Sequence, residues 1–332
     1  MRPVTSPRGS RAAVSASSNK RLTPLTNAPA NPEGAFFFVA MLRRESPCKI
    51  NLLLNILGRR PDGFHELETL FHHVPLTDEL RFARAEAEVV LTCNDPALPV
   101  DGTNLVHRAA TRFLAAAGLE GAGVRLHLEK RLPLAAGLGG GSANAAHTLL
   151  GLNELFGHPL SAEVLDTLAA GLGSDVNFFL QDRPALATGR GEQVISLEPF
   201  AALKGTGILL VHPGFGVATP WAFAELKKYP AALAGRPGRA AELAELLRQG
   251  DLTAAGNALY NSLEAPVLDK YPVLRLYQEF FRRHGAWGSL MSGSGSTTFA
   301  LFATPDAAQA AVEPFQREFG PAGWLRTTAL TS

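Results

Sequence analysis

The run of glycines and small residues from Pro133 to Ala146 restricts most what this chain can become. It reads Pro133-Leu134-Ala135-Ala136-Gly137-Leu138-Gly139-Gly140-Gly141-Ser142-Ala143-Asn144-Ala145-Ala146. Before it, Val124, Leu126 and Leu128 alternate with Arg125, His127 and Glu129, the period of a half-buried strand. After it, Ala145, Leu149, Leu152 and Phe156 recur at helical spacing. The run is therefore a strand-to-helix loop. Glycine tolerates positive φ and lets a ligand approach the backbone. A helix start offers unpaired N–H groups and partial positive charge. Together these form a cradle for phosphate. Ala143 follows Ser142 with no lysine, so the loop is not a Walker A motif. The glycine spacing also departs from the dinucleotide fingerprint.

Bulk properties exclude several function classes. The formal net charge is +1, which gives no electrostatic case for nucleic acid or an anionic membrane. No apolar run is long enough to span a bilayer. The two cysteines, Cys48 and Cys93, lack metal-ligand spacing and read as free thiols of a reducing compartment. Residues 1–40 are rich in Arg, Ser, Ala and Pro with one acid, Glu33, a composition that builds no core. They read as a disordered tail, or as a misplaced start with Met41 as initiator. Arg- and Ser-rich, acid-poor segments also serve as transit peptides, so plastid targeting stays open beside a cytoplasmic location.

Other stretches carry chemistry-bearing residues. Pro47 to Ile56 reads as a buried strand holding Lys49 and Asn51. A lysine there is either paired or snorkelling from a strand end. Pro61-Asp62-Gly63 is a turn, followed by Phe64 and His65. An aromatic beside an imidazole can stack on a base and bond its edge; the plainer alternative is a core phenylalanine and a surface histidine. Asp101 to Asn104 caps a helix. Asp175 sits after Gly173-Ser174 and before Val-Asn-Phe-Phe-Leu. It is either a helix cap or the carboxylate that phosphoryl transfer needs to take a hydroxyl proton. Helices are expected over 161–170, once within 230–250, over 271–283 and over 305–319. Strands are expected at 208–211, 287–291, 297–302 and 324–328.

The run from Pro133 to Ala146 resembles the ATP-binding signature of the GHMP kinase superfamily. The block from Ser46 to Leu80 resembles, within it, the 4-diphosphocytidyl-2-C-methyl-D-erythritol kinase family. That family opens on a Pro-Ala-Lys-Ile/Leu-Asn strand and continues through Gly-Arg-Arg-Pro-Asp-Gly-Tyr-His. Here Cys48 replaces the alanine and Phe64 the tyrosine, so the ring is kept and the hydroxyl lost. Gly173-Ser174-Asp175-Val176-Asn177 resembles the family's Gly-Ala-Asp-Val-Pro, departing at Ser174 and Asn177. Ser292 to Ser296 resembles the third superfamily signature, which approaches the phosphates or buttresses the first loop. The Gly189-Arg190-Gly191-Glu192 run also has a family counterpart, its arginine structural or phosphate-facing.

The resemblance, over about residues 45 to 328, implies an α+β, two-lobed GHMP kinase fold. It has a mixed-sheet N-terminal lobe over 41–200 and a ferredoxin-like C-terminal lobe over 201–332. It implies ATP as co-substrate with Mg2+, and a cytidine-bearing alcohol as acceptor. In these terms Pro133 to Ala143 bind the triphosphate and Asp175 takes the proton. Lys49 pairs with Asp175 and favours its charged form. Asn51 and His65 place the substrate, while Phe64, Phe71, Thr219 and Phe223 shape the cytidine pocket; Phe223 is otherwise the buried stripe of its own helix. Phe64-His65 and Thr219 to Phe223 suit a nucleobase better than a homoserine or mevalonate acceptor. No metal ligand is assigned, Ser142 being the first position to test. Monomer and homodimer stay equally open.

Overall fold

The computed structural model describes residues 41–331; the expected tail of residues 1–40, with its targeting and start-site readings, lies outside the described residues. The chain runs β1 (Leu42–Arg59), β2 (His65–Ala85), β3 (Val89–Cys93), α1 (Leu105–Ala116), β4 (Gly123–Glu129), α2 (Gly140–Leu155), α3 (Ala162–Leu172), β5 (Ala185–Thr188) and β6 (Gln193–Ser196). It continues through β7 (Gly207–His212), α4 (Thr219–Glu225), α5 (Pro230–Leu233), α6 (Arg239–Gln249), α7 (Leu252–Ala258), β8 (Tyr260–Asn261), α8 (Glu264–Lys270) and α9 (Val273–Arg283). β9 (Gly288–Met291), β10 (Thr298–Phe302), α10 (Pro305–Ala310), α11 (Val312–Phe319) and β11 (Trp324–Ala329) close it.

Two sheets organise these elements. The first is mixed, in the order β3-β4-β2-β1-β8, with β5 pairing β2 and β6 pairing β5. Its spine is the β1–β2 hairpin, which the Pro61-Asp62-Gly63 turn closes. There the Phe64 N–H donates to Asp62 Oδ1 at 3.1 Å and Gly63 takes φ 87°. Alternation in β4 buries Val124, Leu126 and Leu128 against α1, α2 and α3. The second sheet is antiparallel, β11-β7-β10-β9. With helices between β7 and β9 and between β10 and β11, this is the ferredoxin-like β-α-β-β-α-β plan. The fold is thus α+β in two lobes. Among the described residues, β8 brings the second half of the chain back into the first sheet, pairing in parallel with Leu53 and Leu54 of β1.

Two helices expected to be single are double. The segment 305–319 breaks at Ala311 into α10 and α11. Pro314 explains the break: in a continuous helix its ring would collide with the carbonyl of Ala310. The segment 230–250 holds the one-turn α5 as well as α6, with Pro230 at the first helical position, where its missing N–H is harmless. Among the described residues no helix is long and apolar enough to cross a membrane.

Glu264, at the start of α8, ties β9 to α9. Its Oε1 accepts the Met291 N–H at 2.8 Å and a hydrogen bond from the Gln278 side-chain amide. Part of the side chain reaches the surface, but burial of the carboxylate, the largest cause, pushes its pKa from 4.5 up to about 7. A carboxyl raised in the folded state stabilises fully below its unfolded pKa and loses that contribution as pH rises through the folded one. Glu264→Gln, which keeps both hydrogen-bond roles, is expected to gain on the natural protein by up to about 3 kcal/mol between roughly pH 4.5 and 8. Urea unfolding across that range measures the difference; a pH-independent gap would show that Glu264 titrates normally.

Candidate active site

A cleft of about 1190 Å³ opens between the lobes, lined by the Pro133–Ser142 loop, β1, the Phe64 turn, Asp175, α4 and the Ser292–Ser296 loop. The loop's shape follows from its sequence. Ala135, Gly137 and Gly139 take positive φ, and Gly139 ends the loop in a left-handed conformation at the start of α2. The first helical bond runs from the Ala143 N–H to the Gly139 carbonyl at 2.9 Å. The amides of Gly140, Gly141 and Ser142 therefore have no helical acceptor and sit at the positive end of α2. Ala143 itself is fully buried and its N–H is spent inside the helix, so the structure does not bring it to the cleft.

Gly137 is where the two glycine loops meet. A Cβ on Gly137 would collide with the Ser292 carbonyl. Ser292 Oγ donates to the Gly137 carbonyl at 2.9 Å, and the Thr297 N–H donates to the Ala136 carbonyl at 3.2 Å. The second loop thus buttresses the first. It also reaches the cleft, where Ser294 Oγ lies 2.8 Å from Thr219 Oγ1.

Lys49 does not snorkel. It lies in the middle of β1, 2 % exposed, with its backbone N–H donating to the Leu138 carbonyl at 3.0 Å. Its ammonium donates to the Gly137 carbonyl at 3.2 Å and to Asn51 Oδ1, and stands 3.5 Å from Asp175 Oδ2. Burial, the largest influence, lowers its pKa, and Asp175 opposes that shift. Asp175 itself keeps a third of its side chain exposed, on a turn that leads into a short 3₁₀ segment, Asn177–Leu180. Asn177 pins that turn, donating to the Asp166 carbonyl at 2.9 Å and to Asp166 Oδ1 at 2.6 Å.

The substrate-side residues divide. Asn51 is buried with both amide ends engaged, its oxygen by Lys49 and its nitrogen by Thr69 Oγ1 at 2.8 Å. It orients Lys49 and also lines the cleft, with a second amide hydrogen still to donate. Phe71 is buried too, packed 4.8 Å from the Phe178 ring, with the Lys49 ammonium 5.2 Å from its own centroid. Its place is under the charged pair. Phe64 is 52 % exposed, with the Arg190 guanidinium 4.8 Å over its ring. His65 packs against Phe223, ring centroids 5.1 Å apart. Ala222 and Leu226 carry the buried stripe of this segment, leaving Phe223 half-buried at the cleft. Burial first, then Arg59, lowers the His65 pKa, so the imidazole is neutral near pH 7. Thr219 is exposed at the start of α4.

Sequence reasoning missed the support beneath the phosphate loop. Asp78, on β2, has no exposure. Its Oδ1 accepts the N–H groups of Arg131 and Leu132 at 2.8 and 2.9 Å. Its Oδ2 accepts from Asn144 Nδ2 at 3.0 Å and from the Lys130 ammonium. One carboxylate thus fastens the entry of the loop to the first turn of the helix after it. No local signal marks it, because its partners lie more than fifty positions on. The charge of the cleft was equally hidden. Among the described residues Lys49, Arg59, Lys130, Arg190 and Lys227 line the cleft with one carboxylate, Asp175, while Lys130 and Arg190 are partnered from outside the lining by Asp78 and Glu192, so Arg59 and Lys227 carry the excess. That local excess attracts a polyanion although the whole chain is nearly neutral.

Comparison with known proteins follows the same lines. The family model for the GHMP kinases N terminal domain matches residues 104–187, and that for GHMP kinases C terminal matches residues 243–322. A 4-diphosphocytidyl-2-C-methyl-D-erythritol kinase of Synechococcus sp. (strain JA-3-3Ab) is 42% identical over 79% of this chain and 85% of its own. One of Salinibacter ruber is 39% identical over 82% of this chain and 94% of its own. A crystal structure of 4-(cytidine 5'-diphospho)-2C-methyl-D-erythritol kinase superposes with a TM-score of 0.69 at 36% identity, covering 87% of this chain and 99% of that one. A homoserine kinase from Cytophaga hutchinsonii, at 20% identity and a TM-score of 0.68, shares the fold.

Proposed function

The chain belongs to the 4-diphosphocytidyl-2-C-methyl-D-erythritol kinase family of GHMP kinases, and from that premise we propose that it moves the γ-phosphoryl group of ATP onto the 2-hydroxyl of 4-diphosphocytidyl-2-C-methyl-D-erythritol. The product is the 2-phosphate, an intermediate of non-mevalonate isopentenyl diphosphate biosynthesis. The observation that carries the mechanism is one contact set. A buried lysine grips the backbone of the phosphate loop and, on its other side, a partly exposed carboxylate.

Phosphoryl transfer asks the protein mainly for positioning and charge stabilisation. The amides of Gly140 to Ser142 and the cations of the cleft hold the triphosphate. Asp175 accepts the proton of the acceptor hydroxyl as its oxygen bonds to the γ-phosphorus and ADP departs. Lys49 keeps Asp175 aimed and offsets charge on the transferring group, and Asn51 fixes the lysine. His65, neutral, bonds the cytosine edge, and Phe64 and Phe223 supply aromatic surface for the base.

Magnesium fits this donor set as an ion carried chiefly by phosphate oxygens and water. Among the described residues no three His, Cys, Asp or Glu side chains converge on a metal site, and Ser142, on the first turn of α2, is the hydroxyl best placed to join the phosphates. When bound, the ion neutralises charge on the triphosphate. Both cysteines are free, which suits a reducing, ATP-rich compartment such as the cytoplasm.

The test is ATP turnover against a panel of alcohols with and without a cytidine diphosphate handle. Turnover is expected only with the handle, and free cytidine diphosphate should compete. Equal turnover of homoserine or mevalonate would overturn the acceptor assignment. Phe223→Ala is expected to raise KM for the cytidine substrate roughly 5- to 100-fold, the scale of one lost stacking partner, with KM for ATP unchanged.

A further inference from the structure

β8 ends on Asn261, which pairs with Leu54 of β1 and is 3% exposed. Its side chain reaches the second glycine loop, donating through Nδ2 to the Met291 carbonyl at 2.7 Å and to the Gly293 carbonyl at 2.8 Å. Its Oδ1 accepts the Leu263 N–H at 2.9 Å. Both amide hydrogens and the oxygen are thus engaged inside the protein. The neighbouring residues anchor the segment. The Ser262 N–H donates to the Leu54 carbonyl at 2.8 Å, Ser262 Oγ accepts the Ile56 N–H at 3.0 Å, and Glu264 accepts the Met291 N–H. Residues 261–264 therefore tie β1 to Met291 by both its backbone groups and to Gly293 by its carbonyl.

The loop held in this way supports the reacting groups. Ser292 lies between the two clamped carbonyls, and its Oγ donates to the Gly137 carbonyl, which also accepts from Lys49. A Cβ on Gly293 would stand 2.9 Å from that same carbonyl oxygen and 3.4 Å from Lys49 Nζ. The Gly293–Ser294 peptide is trans, so its N–H points away from the carbonyl that Asn261 holds. This N–H has no acceptor among the described residues, and Ser294 lines the cleft. We propose that Asn261 is a positioning residue for the phosphoryl transfer: it holds the Ser292–Ser294 turn in the one orientation that keeps Gly137 and Lys49 placed for ATP. This role rests on ATP being the phosphoryl donor of the cleft and is independent of which alcohol accepts.

Side-chain chemistry sets what each substitution does. Leucine has about the size of asparagine and no donor, so Asn261→Leu leaves two enclosed carbonyls unpaired and frees the turn to rotate. Aspartate keeps the shape. Ionised, it sets a carboxylate against two carbonyl oxygens; protonated, its O–H restores one of the two bonds. In Asn261→Asp, burial and the two carbonyls favour the neutral form, so the defect shrinks as pH falls from 8 to 6.

The test is titration calorimetry of ATP together with turnover of the cytidine-bearing alcohol, on the full chain, with the folded fraction followed by circular dichroism. Asn261→Leu is expected to weaken ATP binding by about 5-fold or more and to lower kcat by about 10-fold or more, with KM for the alcohol within about 2-fold. A loss of folded protein alone would lower kcat and leave both affinities unchanged, and that result would make Asn261 a structural residue only. In a Ser292→Ala background, Asn261→Leu should add less than about 3-fold to the kcat defect, because both act on one carbonyl. If Asn261→Leu does not fold, Asn261→Asp carries the same readouts, its ATP affinity relative to the natural protein improving by about 3-fold or more from pH 8 to pH 6. ATP affinity and kcat per folded molecule within about 2-fold of the natural protein, or full additivity with Ser292→Ala, would overturn the role of Asn261. Normal ATP binding by the natural protein without turnover of that alcohol would overturn the acceptor assignment and leave the calorimetric readout of Asn261 intact.

Discussion

Asp175→Asn is expected to cut turnover by roughly 10²-fold or more while leaving KM for ATP nearly unchanged. Asparagine keeps the size and one acceptor oxygen but cannot take a proton. The phosphate loop is untouched, because it holds its ligand through backbone amides anchored by Gly137 and Ser292. Lys49 loses a counter-charge at 3.5 Å but keeps Asn51 and the Gly137 carbonyl, so folding should survive. A 10²-fold loss corresponds to about 2.7 kcal/mol of barrier, far above what a shifted hydrogen bond would cost. Turnover within about 3-fold of the natural protein would remove Asp175 from the proton transfer. Lys49→Met should lose activity on a similar scale. If it altered only stability, the lysine would be a structural cation and nothing more.

Asp78→Ala is expected to cost about 3–5 kcal/mol of stability, the range for breaking a buried ion pair from one side. The carboxylate is fully enclosed and accepts two backbone N–H groups, an amide and an ammonium. Its removal strands the Lys130 charge, whose side chain is 5% exposed, with only the Asn144 oxygen at 3.3 Å. Urea unfolding measures the loss. Because the same carboxylate fixes the entry of the phosphate loop, the surviving folded fraction should also show a raised KM for ATP. A stable variant with ordinary ATP affinity would mean that water replaces the carboxylate without penalty.

What could be read from the sequence was local. Alternation marked β4, the apolar run marked β1, and glycine chemistry marked the loop from Pro133 to Ser142 and the turn before Phe64. Asp175 stood out because a carboxylate between glycines and an apolar segment has few uses. What could not be read depended on partners far away in the chain. Lys49 was ambiguous until Gly137 and Asp175 stood beside it. Nothing near Asn51 in the sequence showed that it also braces Lys49 and Thr69. Ala143 belonged to the signature by position, yet the helix uses its amide. The cations of the cleft come from four scattered segments, so a net charge of +1 concealed them. β8 is two residues long, too short for any period to register.

The knot at Gly137 makes one lobe the guardian of chemistry performed mostly by residues of the other. Ser292 and Thr297 belong to the loop between β9 and β10, yet they set the bend on which the triphosphate would lie. Heat or denaturant that loosens the ferredoxin-like portion should therefore silence the enzyme at once, and it also strips cover from β1, whose Ile50 and Leu52 share a core with Leu210 and Phe299. Activity and the tryptophan signal of Trp287 and Trp324, which pack against that shared core, should vanish together.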